Sequence, residues 1–149
     1  MLKKTFIFFV ITFIGIQFIP VDKINPKIDT SLTLNTDENV LKILKKSCYD
    51  CHSYETKWSI YSDIAPLSFG VVSHVKDGRQ ALNFSVYKNI DVQIREKRLQ
   101  RAITLIKNER MPVSSYLTFH EEARMTKGEK ETLIAWFEKE LEYLNKNNS

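Results

Sequence analysis

The sequence has little from which to build a sheet. No stretch of strand length alternates apolar and polar residues convincingly, the one weak fragment being Ser31 to Leu34, so a β-rich or βαβ architecture is excluded. Blocks of like charge are missing too: 22 lysines and arginines are interspersed with 18 acidic residues, net charge +4, which leaves nucleic-acid binding without support. No internal repeat is present. Cysteine is limited to two residues, both inside Cys48-Tyr49-Asp50-Cys51-His52, so any cysteine chemistry is confined to that segment.

What is present begins with an apolar N-terminus. Lys3 and Lys4 precede a run from Thr5 to Val21 broken only by Thr5, Thr12 and Gln17, which predicts a signal-anchor or transmembrane helix over residues 1–21. The stretch Gln17 to Asp22 lacks the pair of small residues a signal peptidase reads, so retention as an anchor is expected. The two lysines would hold the N-terminus in the cytoplasm, leaving the rest on the periplasmic, extracytoplasmic side of the membrane. Residues 22–35 turn polar around Pro26 and read as a tether; residues 36–149 are left as one domain.

Within that domain the periodicity is helical. Val40, Leu41, Leu44 and Cys48 follow a spacing of three to four after a cap at Asn35 or Thr36, a helix leading into the cysteines. A second helix opens at Pro66 and closes near Gly78 with Leu67, Val71 and Val75 on one face. A third carries Leu99, Ala102, Ile103 and Ile106, with Arg95, Lys97, Arg98 and Arg101 on its solvated side, and ends before Met111-Pro112. The last is announced by a capping box, Thr126 with Glu129, ahead of Leu133, Ile134, Phe137, Leu141 and Leu144. The fold class is all-α.

Cys48, Cys51 and His52 form a Cys-x-x-Cys-His pattern. Two thiols three positions apart can reach the two vinyl groups on one edge of a haem, and the adjacent imidazole can then meet the iron. The rival readings are a thioredoxin-type disulfide, which lacks its βαβ context, and half of a zinc site completed by His74 or His120, which lacks defined ligand spacing. The iron's sixth position has four candidates, Met111, His74, His120 and Met125. Met111 is favoured because Pro112 disfavours helix there and sets the thioether on a loop between helices that can lie across a haem face. Arg79 and Asn83 read either as propionate partners or as a solvated turn, and Trp58, Tyr61 and Phe84 as packing against the porphyrin.

The cysteine motif with its upstream helix, Met111-Pro112 some sixty residues on and the capped last helix together resemble a small class I cytochrome c. More narrowly, Ser47 to Ser53, Trp58 with Tyr61, Ile64 to Pro66, His74 to Gly78 with Leu82 to Ser85, and Met111-Pro112 resemble the bacterial haem-binding domain family. The resemblance implies haem attachment at Cys48, Cys51 and His52. The expected function is a membrane-anchored mono-haem c-type cytochrome that passes single electrons to a redox partner protein, with one covalently bound haem c and His52 and Met111 as axial ligands. A haem sensor or peroxide-reacting enzyme, with an open sixth position, is the alternative; a third is an interaction module in which the haem is structural and the long insert from Ser53 to Ser85 binds a partner. An electron carrier is favoured over an enzyme.

Overall fold

Side-chain caps mark where three of the helices begin, at Asp37, Asp91 and Thr126. The computed structural model describes residues 1–148; Ser149, the end of the expected domain, lies outside them. Helix α1 spans Leu2–Ile16 and α2 spans Glu38–Ser47. The cap of α2 is Asp37, whose carboxylate accepts from the Val40 amide at 3.0 Å, in place of the expected Asn35 or Thr36. A single turn, α3 (Tyr49–His52), follows at once. Helix α4 (Leu67–Ala81) starts behind Pro66 and runs through Gly78 without stopping. Asp91 caps α5 (Val92–Lys107) through the amides of Gln93 and Ile94 at 3.0 and 3.2 Å. A short α6 (Ser114–Leu117) and the long α7 (Lys127–Asn148) complete the chain, with 3-10 turns at Ile60–Asp63, Phe84–Asn89 and Glu121–Ala123. Among the described residues there is no strand; Leu32 and Leu34 make only isolated backbone bonds, to Lys88 and Phe84.

The helices pack as two pairs. α5 lies on α7, α3 lies on α4, and α2 touches both α3 and α7. Leu44, Leu99, Leu133 and Phe137 seal the junction, each almost wholly buried, and each stabilises by roughly 1.5–3 kcal/mol relative to exposure. The expected stripe of α7 is borne out at Leu133, Phe137 and Leu144, all buried. The seam between the pairs is left for the site.

The capping box forms as the sequence indicates. Glu129 accepts from the Thr126 amide at 2.7 Å, Thr126 Oγ1 accepts from the Glu129 amide at 3.2 Å, and Lys46 of α2 donates to the same carboxylate. Lys46 first, then the Thr126 amide, hold the Glu129 carboxyl below the usual glutamate range. We expect Glu129→Ala to lower stability by about 1 kcal/mol in a denaturant melt at neutral pH. Because the folded-state value is depressed, that increment is present above the ordinary glutamate value and lost as pH falls through the folded one. A parent and variant that differ equally at pH 7 and pH 3 would contradict it.

The N-terminus corrects the expectation of a membrane-crossing helix over 1–21. α1 has 15 residues, about 22 Å of helix, and no helix among the described residues is long and apolar enough to cross a membrane. It ends because the Gln17 side chain turns back to the Phe13 carbonyl at 2.9 Å and across to Ala65, and because Pro20 disfavours helix at Ile19. None of its residues is buried. The 22–35 segment that follows is irregular, with a turn at Thr30 to Leu32, and is held to the domain. Asn25 donates to the Thr56 carbonyl at 2.8 Å, Lys23 pairs with Asp63, and Leu34 enters the core.

Candidate functional site

Cys48 caps the one-turn helix α3, so Cys48, Cys51 and His52 stand at i, i+3 and i+4 and share one face. That face borders a cavity of about 260 Å³ between the two helix pairs, far beyond the ~30 Å³ share of one water and so not a packing defect. Cys48, Cys51 and His52 line it with Leu82 and Phe84 on their side; Ala102, Leu105 and Ile106 of α5 and Phe137 of α7 line the other. The Ser47 hydroxyl, buried in the same wall, has no partner. Its desolvation costs about 1–3 kcal/mol unless something in the cavity bonds it.

The imidazole of His52 is oriented by the backbone. The Leu82 carbonyl, just past the end of α4, lies 2.9 Å from Nδ1. A carbonyl only accepts, so Nδ1 carries the proton and Nε2 keeps its lone pair. Burial, the largest influence, lowers the His52 pKa and favours the neutral ring. This is the tautomer and orientation of a metal-ligating histidine with its outer partner in place.

The thiols are held the other way from those of a redox dithiol. Burial pushes Cys48 up to about 12, with the adjacent Cys51 adding to it. Cys51 rises to about 11, again through burial first and then the Asp50 carboxylate. Thioredoxin-type exchange needs the opposite, a depressed thiol, and the two sulfurs are not bonded to each other. The zinc reading fails on geometry, since no three histidine, cysteine or acidic side chains come together as ligands among the described residues.

α3 can sit this close to α4 because residue 78 is glycine. A Cβ built there would lie 2.4 Å from the Cys51 carbonyl oxygen, 2.9 Å from its carbon and 3.0 Å from Cys51 Cβ. Asp50, between the cysteines, is fixed as well: Tyr116 donates to one carboxylate oxygen at 2.7 Å, the Lys57 amide to the other at 3.1 Å, and Thr56 to the Asp50 carbonyl at 2.8 Å. By sequence Gly78 reads as the end of a helix and as part of the His74 to Gly78 stretch, whereas an isolated glycine inside a helical pattern is also a signal of close packing; Tyr116 carries no signal.

Of the sixth-position candidates, Met111, Met125 and His74 reach the cavity. His120 does not: its ring stacks on Tyr116 with centroids 4.4 Å apart, Nε2 faces the Tyr61 hydroxyl at 2.7 Å and Nδ1 faces Glu122 at 2.9 Å. His74 stands one turn before Gly78 on α4, the wall that also orients His52. Met111 borders the cavity from the segment after α5. Phe84 lines the cavity, whereas Tyr61 packs on Phe119 and Trp58 lies elsewhere. Arg79 is no solvated turn: it donates to the carbonyls of Ser53 and Ile24, to Asn25 and to Thr56 at 2.7–3.0 Å, and its guanidinium covers the Tyr54 ring. Asn83 is buried and accepts from the Ser85 amide. Neither is free for a propionate.

A protein-family model described as a haem-binding domain matches residues 11–139 of the chain. Comparison with curated proteins and with solved structures gives no match.

Proposed function

The chain belongs to the haem-binding domain family, and from that premise we propose that it is a mono-haem c-type cytochrome, an electron carrier with histidine and methionine on the iron. The observation that carries this reading is the state of His52. Its Nδ1 proton is committed to Leu82, its ring is kept neutral by burial, and it stands on an apolar cavity whose edge is formed by both cysteines of the chain. Cys48 and Cys51 would hold the haem by thioethers and His52 would ligate the iron; the haem supplies a one-electron couple that no side chain here offers. The protein's part is to exclude water with Leu82, Phe84, Leu105, Ile106 and Phe137, and to orient the imidazole through the Leu82 carbonyl. Met111 is the sixth ligand of this reading because it borders the same cavity as His52 from the segment after α5, which supports a saturated iron suited to electron transfer.

The placement proposed is extracytoplasmic, associated with the membrane through α1, whose apolar side chains Phe6, Phe8, Phe9 and Ile11 are all more than half exposed. A redox protein is the partner proposed. His74 at the cavity edge favours a second reading, a ligand-binding haem sensor or a peroxide-reacting enzyme.

The test is covalency. Produced in a host that matures c-type cytochromes, the full chain is expected to keep its colour through acid-acetone extraction and denaturing electrophoresis, and Cys48→Ser with Cys51→Ser to lose it. Extractable haem, or none, in the parent would overturn the proposal.

A further inference from the structure

The α5 wall of the cavity changes character along its length. Residues 98, 101, 102, 105 and 106 all face the cavity, a single helix face about 12 Å long. Its later part is Ala102, Leu105 and Ile106, and its earlier part is two arginines three positions apart. Neither Arg98 nor Arg101 has a carboxylate partner among the described residues. Their neighbour Arg95, by contrast, is engaged, donating to the Ile90 carbonyl at 3.1 Å and covering the Tyr87 ring. The other charged or titratable groups on the cavity are Asp77 and His74 on α4, Asp50, already bonded to Tyr116, and the His52 and cysteine set.

An occupant suited to this wall is a flat apolar body bearing anions on one edge. Apolar contact with the later residues and bidentate contact with the earlier pair would be made at once, and guanidinium groups match carboxylates in both geometry and charge. We propose that Arg98 and Arg101 form the propionate-binding site of the haem and raise its reduction potential. This rests on the haem reading above. Arg98 is half-buried and Arg101 exposed where they border the cavity, and two positive charges close to the haem would favour its reduced, less positive form, screened in part by the water that reaches Arg101.

The experiment uses the full-length holoprotein at neutral pH and reads the potential by spectroelectrochemistry, together with the covalent haem content. Arg98→Gln/Arg101→Gln is expected to shift the oxidised-to-reduced equilibrium at least tenfold toward oxidised, about 59 mV downward, with haem still attached. Each single variant should give part of the shift, and Arg98→Lys/Arg101→Lys should recover most of it. Lys97→Gln, a solvent-exposed neighbour on the same helix, is the charge control and should leave the potential in place. An unchanged potential in the double glutamine variant, or an equal shift in Lys97→Gln, would overturn the assignment while leaving the cytochrome reading intact. A parent chain without covalent haem would overturn that reading first, before the arginines are compared.

Discussion

Gly78→Ala is expected to destabilise the folded protein by about 3 kcal/mol and to cut the yield of haem-loaded chain severely. The added carbon would meet the Cys51 carbonyl oxygen at 2.4 Å, a full ångström short of ordinary contact, and the Cys51 carbon and Cβ are also too near. Neither side can yield cheaply. On α4 the obstruction is at a helical backbone position, and on α3 it is the backbone carbonyl that joins Cys51 to His52. Moving α3 away by about 1 Å would stretch the bond from His52 to Leu82, only four residues beyond Gly78, and loosen the ring whose orientation the site depends on. Overpacking usually costs 1–3 kcal/mol, and opposing backbones place this case at the upper end. Gly70→Ala, eight residues earlier in the same helix with open space around it, is the matched control. It should be neutral or stabilising by up to about 1 kcal/mol, since alanine is the better helix former. Denaturant melts of the three holoproteins decide the matter, and equal stability of parent and Gly78→Ala would refute the packing argument.

The second large effect concerns the sixth position of the proposed haem. If Met111 is its ligand, the oxidised protein should show the weak far-red sulfur-to-iron charge-transfer band, and Met111→Ala should remove that band with haem still covalently bound. Carbon monoxide should then bind the reduced variant readily and the parent poorly. The potential should fall by an amount on the order of 0.1–0.3 V, a fraction of the ~0.8 V range that axial ligands span, because a soft thioether favours ferrous iron over water or imidazole. Met125 also borders the cavity, though it is 5% exposed and packed in the core cluster beside α7. Retention of the band in Met111→Ala with its loss in Met125→Ala would move the ligand; loss of the imidazole signature in His74→Ala would instead bring the sensor reading forward.

The helices and the Cys-x-x-Cys-His face were legible in the sequence because both depend on neighbours close along the chain. The Thr126 and Glu129 capping box and the Leu133, Phe137 and Leu144 stripe form as read. What was not legible depends on contacts between distant segments. Arg98 and Arg101 read as a solvated face because a helical period sorts apolar from charged residues; Arg101 is exposed as read, but a period cannot show that both also border the cavity. Arg79 escaped for a related cause, since its acceptors at Ile24, Asn25, Ser53 and Thr56 are loop carbonyls and polar groups that carry no periodic signal. The boundary of α1 fell earlier than the apolar run because Gln17 finds its partner at Ala65, 48 residues away.

The Arg79 clamp bears on how this protein can be cut apart. By composition the domain opens at residue 36, yet the guanidinium grips Ile24 and Asn25 with the same group that holds Ser53 and Thr56, immediately beyond the cysteine motif. The polar segment is therefore a strap rather than a spacer, and the structural unit it belongs to starts near Lys23. A graft or truncation that keeps everything from residue 36 onward would preserve every helix from α2 to α7 and still strip two of the four partners from the side chain that braces the segment after the cysteines.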